Sequence, residues 1–346
     1  MESIFCKKTF FVVRVVFFVL ALTTSIFYAP NVFLLIFAGI LVTIFLRSIS
    51  DTLTRYTRIS AGWSLGIVVL FLALLIAVAG YFAAPSVLEQ SDTLVQKIPE
   101  LMGKLRIHIE NYSLGRSLLD ETEPEKVLGN SRAIMSGIGG AFSGVLSWFT
   151  NFLIIFFIGL YGAMEPEVYK RGLLRLIPKP RRTRVAQVLS EINETLKWWL
   201  IGKFFGMAVI GVFTTIGLWL LDIPLALILG LIAAILTFIP NIGPILALAP
   251  ALLFGLTVSP EQALYVALLY IGIQAVESYV LTPLVQRKTI ELPPALTLAT
   301  QVFLGVSLGG LGVALATPLT AVGVVATKML YVEDGLDDPI DGRNSK

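Results

Sequence analysis

Residues 223–258 read Ile223-Pro-Leu-Ala-Leu-Ile-Leu-Gly230-Leu-Ile-Ala-Ala-Ile-Leu-Thr237-Phe-Ile-Pro240-Asn-Ile-Gly243-Pro244-Ile-Leu-Ala-Leu-Ala-Pro250-Ala-Leu-Leu-Phe-Gly255-Leu-Thr-Val258, without one Asp, Glu, Lys or Arg. As a single straight helix this stretch is about 54 Å long at 1.5 Å per residue, against a hydrocarbon thickness of roughly 30 Å. Pro240, Gly243 and Pro244 fall at its centre. They break a helix there, because proline lacks the amide proton and its ring clashes with the preceding turn. Each half is then too short to cross a bilayer unaided. The stretch therefore predicts two half-helices meeting at a loop inside the protein.

The same design returns about 69 residues later, too long a period for a solenoid unit and the size of one helix plus one broken hairpin. Ile223-Pro-Leu-Ala-Leu-Ile-Leu229 lines up with Leu292-Pro-Pro-Ala-Leu-Thr-Leu298. Gly243-Pro-Ile-Leu-Ala-Leu-Ala-Pro250 lines up with Gly312-Val-Ala-Leu-Ala-Thr-Pro318, one residue shorter. The second break is Gly309-Gly310-Leu311-Gly312. If both elements are re-entrant hairpins, the helix 262–282 crosses between them. Arg287 and Lys288 then lie in the cytoplasm and the two copies have inverted topology. If both elements cross fully, those two charges lie outside and the copies are parallel. The positive-inside rule favours the hairpins. Inverted repeats with Gly/Pro-interrupted segments at matching positions point to the substrate site of a secondary transporter.

Outward from this core, composition agrees. The chain has 346 residues, 56% hydrophobic and only 14% charged, with mean hydropathy +0.85, whereas ordinary soluble domains are about a quarter charged. Disorder and an ordinary soluble enzyme are excluded, and the apolar runs are long enough to cross a bilayer. The fold class is an all-α polytopic membrane protein: about six full spans plus two re-entrant broken-helix hairpins, eight hydrophobic segments in all. The net charge of +3 implies no nucleic-acid partner. Cys6 and His108 are each the only residue of their kind, which removes intrachain disulfides, cysteine zinc sites and multi-histidine metal sites. No cofactor or metal is called for. Gly305-Val-Ser-Leu-Gly309 fits the nucleophile-elbow spacing, but that motif needs a strand, a turn and a histidine partner, so no enzyme is read here.

The organisation follows from runs and charges. Residues 1–84 hold three spans, the first from Thr9 to Phe27 with Arg14 inside it, read as uncleaved because no small-residue cleavage site follows. Residues 85–135 turn polar and carry Leu94, Ile98, Leu101, Leu105 and Ile109 at spacings of three and four, an amphipathic segment placed outside the cytoplasm. A fourth span occupies 136–164, with Gly140 and Gly144 spaced for close helix contact. The loop and helix 165–197 are the most basic part, with Lys170, Arg171, Arg175, Lys179, Arg181, Arg182 and Arg184, and so are placed in the cytoplasm. Residues 198–330 form the transport core. Residues 331–346, with Glu333, Asp334, Asp337, Asp338 and Asp341, are expected to be a solvated acidic cytoplasmic tail. Counting spans puts both termini in the cytoplasm of a multi-pass protein of the cell (inner or plasma) membrane.

Few residues in the core can bear chemistry. Glu277 lies inside the span 262–282, where a carboxylate is expensive and usually faces the bundle interior or a water-filled path. The bland alternative is a structural hydrogen bond to a broken helix. Gln274, three residues earlier, shares its face. Lys203 sits about a turn into the fifth span, free either to pair with Glu277 or to snorkel to the interface. The breaks at Pro240, Asn241, Gly243 and Pro244 and at Gly309, Gly310 and Gly312 expose backbone groups that need partners from protein, water or substrate. Thr282, Pro283 and Pro318 flank the path, with Gln301, Thr297 and Thr300 as further polar lining.

From about Trp198 to Leu330 the sequence resembles the AI-2E family of bacterial membrane proteins, named for export of autoinducer-2. The residues that carry the resemblance are Ala226-Leu-x-Leu-Gly230, Ile239-Pro-Asn-Ile-Gly-Pro244, Pro250-Ala, Gln274-x-x-Glu277-x-x-x-Leu-Thr-Pro283 and Gly310-x-Gly-x-x-x-Ala-x-Pro318. Two positions depart from the family pattern: Asn241 replaces the usual aromatic, and Lys203 stands where relatives often have glutamine. The resemblance implies an exporter of a small polar metabolite or, as in some relatives, a sodium (lithium)/proton antiporter. The expectation is therefore ion-gradient-coupled secondary transport of an autoinducer-2-like metabolite, with the lipid bilayer and a small-molecule or monovalent-cation substrate as partners. Homo-oligomerisation is left open. A passive channel or a non-transporting membrane scaffold is the alternative of another class.

Overall fold

Pro30 opens the first described helix, where its fixed φ suits the first turn and its missing amide proton is no loss. The structure is a computed structural model that describes residues 29–78, 80, 81, 85, 141–283 and 292–336. The expected first span with Arg14, the polar segment after residue 85 with His108, the pair Arg287–Lys288 and the distal tail lie outside the described residues. Helix α1 (Pro30–Thr57) ends on Arg58 in the left-handed conformation, its N–H bonded to Thr54 O at 2.9 Å. Helix α2 (Ala61–Val78) folds back on it, and the buried Ser64 hydroxyl donates to Ser50 O at 2.8 Å.

Helix α3 (Ala141–Met164) packs along α1. Of Gly144 only the helical backbone is described, and Gly140 lies outside. Among the described residues a close approach is made by Gly39, Gly159 and Gly162, where an added methyl would meet Ile158, Val42 and Thr43. Small residues at a seam let backbones approach, which is how helices associate when lipid is as apolar as their own side chains. Glu165 and Pro166 then turn the chain by 86° into α4 (Pro166–Arg175), which buries none of its side chains.

Helix α5 (Arg182–Leu220) has 39 residues, about 58 Å at 1.5 Å per residue. The basic lead and the fifth span are therefore one continuous rod. Asp222 and Leu225, both at positive φ, form the tight turn after it. Helices α6 (Ala226–Leu236) and α7 (Ile242–Val258) follow, with 11 and 17 residues, about 17 and 26 Å. Neither reaches across roughly 30 Å of hydrocarbon alone. The break between them falls where the proline cluster predicts it. Ser259 caps α8 (Pro260–Val276), its hydroxyl oxygen accepting from the Gln262 N–H at 3.0 Å. The helix then widens into a π turn, Glu277–Leu281.

The last long element, α9 (Pro294–Thr327), is interrupted by Gly309 at φ 69°, ψ −154°, a conformation open essentially to glycine alone. It too is two arms, and it ends in a π turn, Lys328–Glu333. The repeat is visible in the packing. A methyl on Gly243 would strike the Leu236 carbonyl, and one on Gly312 would strike the Leu304 carbonyl. In each copy, the glycine at the start of the second arm lets it lie against the backbone of the first. Ala247 and Ala316, equivalent in the alignment, are both buried, and Pro250 and Pro318 each sit inside the second arm.

One core joins the far half of α5 to α6, α7 and α8 through Leu218, Leu229, Phe254 and Val266. A second joins α1, the near half of α5 and α9 through Leu34, Leu41, Leu196, Leu200 and Leu315. Outside these, Phe213, Leu268, Phe303 and Val306 stand exposed, as an outer surface in hydrocarbon requires. Among the described residues five helices are long and apolar enough to cross a membrane, or six if the bent pair α3–α4 is one span. The chain is an all-α polytopic membrane protein.

Candidate functional site

The two cores leave a cavity of about 310 Å³ between them. Four parts of the chain meet there. Helix α5 contributes Trp199 and Lys203; the first break contributes Thr237, Pro240 and Asn241; the end of α8 and the π turn with its cap bring Gln274, Glu277, Ser278 and Thr282; the two arms of α9 bring Thr297 and Thr317.

The first break is a strained turn. Asn241 has φ 66° and ψ −50°, and the Ile242 N–H donates to Pro240 O at 2.8 Å. A bond from residue i+2 to i around a central residue of that geometry is a γ-turn of the rare, strained kind. Such a conformation persists only where its surroundings over-determine it. Here they do. The Gln301 side chain, buried in the first arm of α9, donates from Nε2 to the same Pro240 O at 3.0 Å. The Phe238 ring packs edge-on to Trp199 with centroids 5.6 Å apart. Gln301 thus ties the first break to the second repeat.

The carboxylate sits opposite. Glu277 begins the π turn, a register change frequent at functional sites because it re-aims side chains. Its Oε2 accepts from Gln274 Nε2 at 3.2 Å, and Gln274 Nε2 also lies 3.4 Å from the Ser278 hydroxyl oxygen. Lys203 lines the same cavity, but among the described residues no direct ion pair joins it to Glu277. Lys203 is thus placed on the cavity wall. The cavity holds one basic and one acidic side chain, not in direct contact, with the neutral oxygens of Thr237, Asn241, Thr297 and Thr317 around them. It can admit a small polar solute or an ion and offer it a carboxylate. Among the described residues no group of three or more His, Cys, Asp or Glu is placed to hold a metal ion.

Of the residues singled out from sequence, Lys203, Pro240, Asn241, Gln274, Glu277, Thr282 and Thr297 line the cavity, and Gln301 is bonded to its wall. Gly243, Gly312 and Pro318 are buried behind it as packing elements, and Pro244 is half-buried. Pro283, Gly309 and Gly310 are exposed and do not line the cavity. Sequence reasoning missed Trp199, Thr237, Ser278 and Thr317. The signal available for two of them was position: Thr237 stands three residues before Pro240 and Thr317 immediately before Pro318, each a hydroxyl inside an uncharged run beside a break.

A family model described as AI-2E family transporter matches residues 15–331. Three relatives carry names of one form, "Putative transport protein". YrrI of Bacillus subtilis is 28% identical over 249 residues, covering 70% of each chain. YueF of the same organism is 29% identical over 189 residues, 54% of this chain and 51% of its own. YhhT of Escherichia coli is 23% identical over 273 residues, 74% of this chain and 72% of its own.

Proposed function

The chain belongs to the AI-2E family of transporters, and we propose that this membrane transporter exports a small hydrophilic metabolite, driven by an ion gradient, with Glu277 as the residue that carries the coupling charge. The observation that carries the reading is the position of Glu277. It is a carboxylate on a π turn at the end of an apolar helix, in a cavity lined by the first helix break and by both arms of α9. An ionisable group in such a helix is expensive unless it has a use. Matched breaks around one site are the architecture by which two repeats alternate access to opposite sides. The inverted arrangement of the two copies, both termini in the cytoplasm and a transport core over 198–330 are parts of the same proposal.

In this mechanism the cavity opens to one side with Glu277 charged and Gln274 donating to it. Protonation removes the charge and weakens that hydrogen bond, because a charge-assisted bond is roughly twice as strong as a neutral one. The π turn is then free to repack as the arms of the two repeats rock past each other. Lys203 offsets the carboxylate in the charged state.

The test is proton movement in everted membrane vesicles, wild type against Glu277→Gln, on addition of candidate metabolites, sodium or lithium. The expected result is a solute-dependent pH response in the wild type and none in the variant. A response to sodium or lithium alone would replace metabolite export with cation/proton antiport. An undiminished response in Glu277→Gln would remove Glu277 from the mechanism.

A further inference from the structure

The bend between α3 and α4 sets a charged helix at a right angle to a span. Helix α3 is an uncharged run of 24 residues, about 36 Å at 1.5 Å per residue, enough to cross the hydrocarbon by itself. Pro166 has no amide proton with which to continue that helix, and the chain leaves Glu165 turned by 86°. A helix perpendicular to a span runs along the plane of the membrane. Helix α4 is too polar to do so within the hydrocarbon, because four of its ten residues are charged: Glu167, Lys170, Arg171 and Arg175.

Its side chains are sorted between two media. At 3.6 residues per turn, Val168, Tyr169, Leu173 and Leu176 fall within one arc of about 140°. All four are exposed, Leu173 the least at 47% and Leu176 the most at 68%. Lys170 flanks this arc on one side, Arg175 and then Arg171 on the other, and Glu167 stands opposite. Basic side chains bordering an apolar face are the pattern of a helix lying in an interface: their stems cover the apolar boundary while their charged heads reach the headgroups. All three basic residues are exposed, and among the described residues no ion pair joins them to a carboxylate. Positive charge left unmatched by the protein is complementary to an anionic surface. Nor is α4 a loose flap. Arg182, which opens α5, donates from Nε to Ile177 O at 2.9 Å and from Nη2 to Arg175 O at 3.2 Å. The end of α4 is thereby fastened to the rod that brings Lys203 to the cavity.

We propose that α4 is a docking surface for anionic phospholipid headgroups of the leaflet in which α3 ends, with its apolar arc seated at the acyl boundary and Lys170, Arg171 and Arg175 on the lipid phosphates. This surface stands apart from the cavity, and it sets the height of the start of α5 in the membrane whatever solute is carried.

The experiment uses the full-length protein in lipid nanodiscs, with Cys6→Ala and a small thiol-reactive fluorophore on either Leu173→Cys or Glu167→Cys. Quenching is read from lipids with a nitroxide high on the acyl chain and from acrylamide in the water, as phosphatidylglycerol replaces phosphatidylcholine. The label at 173 is expected to be quenched by lipid and shielded from acrylamide, saturably with phosphatidylglycerol and less so in high salt, while the label at 167 stays open to acrylamide. Arg175→Gln should raise the phosphatidylglycerol fraction at half-maximal quenching about fivefold, the equivalent of roughly 1 kcal/mol for one basic residue at a charged surface. The triple variant Lys170→Gln, Arg171→Gln, Arg175→Gln should lose the dependence altogether. A label at 173 that acrylamide reaches and lipid does not would overturn the docking. Equal quenching in pure phosphatidylcholine and in phosphatidylglycerol, or a triple variant that titrates like wild type, would overturn the assignment to anionic headgroups.

Discussion

Gly243 and Gly312 give the sharpest test of the matched breaks. A methyl added at Gly243 would fall on the Leu236 carbonyl, which already accepts the Ile239 N–H at 2.9 Å. A methyl at Gly312 would fall on the Leu304 carbonyl and lie 2.9 Å from the Leu308 side chain. In both cases the atom that must give way is backbone of the opposing arm rather than the tip of a flexible side chain. Overpacking costs about 1–3 kcal/mol, and a backbone obstacle puts these two sites at the upper end. At roughly 2–4 °C per kcal/mol, the scale for a domain of this order of size, that is a fall of about 6–12 °C in Tm for each of Gly243→Ala and Gly312→Ala. Gly309→Ala meets open space but must hold φ 69°, ψ −154°, a strain of about 1–3 kcal/mol. Gly310→Ala is the internal control. It has nothing within 4 Å and no positive φ, and alanine is favoured over glycine in a helix by up to about 1 kcal/mol. The assay is thermal unfolding of the detergent-purified protein followed by tryptophan fluorescence. The expected order is Gly310→Ala at or above wild type, Gly309→Ala below it, and Gly243→Ala and Gly312→Ala lowest. Gly312→Ala unfolding with Gly310→Ala would refute the close approach of the second pair of arms, and with it the structural equivalence of the two breaks.

Two further expectations concern charges. Lys203→Met and Glu277→Gln should each destabilise the protein, since each leaves one charge in the cavity without its counterpart, and the double variant should lose less than the sum; additivity within about 0.5 kcal/mol would show the two charges to be independent. Arg184, at the start of α5, donates to Asp334 Oδ2 at 2.9 Å, Glu333 Oε2 at 2.8 Å and Met329 O at 2.9 Å, and so clamps the end of α9 to α5. This site is partly open to solvent, with 31% of the arginine side chain exposed. Arg184→Gln is therefore expected to lower stability by about 1 kcal/mol at low salt, a deficit that shrinks as salt is raised because exposed ion pairs are screened. A deficit constant from low to high salt would assign the loss to packing instead.

Segment lengths and residues with few conformational options made most of this architecture legible before any fold was seen. An uncharged run too long for one span, with Pro240, Gly243 and Pro244 at its centre, had one economical solution, and Gly309-Gly310-Leu311-Gly312 repeated it. Glu277 was legible because a carboxylate inside an apolar span is rarely idle, and Gln274 because it stands three residues before it on the same helix. Tertiary structure alone decided which polar groups meet. That Gln301 reaches Pro240 O across 61 positions depends on how two arms cross, which no local pattern encodes. The π turn at Glu277–Leu281 likewise holds no glycine or proline of its own that would announce it. Pro283, Gly309 and Gly310 looked like lining because they stand near breaks, yet they lie outside the cavity: a break exposes groups on both of its sides, and only the packing of neighbouring helices selects the side that faces in. Glu333 and Asp334, read as part of a solvated tail, are instead bound by Arg184 from about 150 positions away. Local sequence sets where a helix can exist and where it must stop. Which of its faces meets which other is settled by the sum of many weak contacts, and only the folded chain carries that sum.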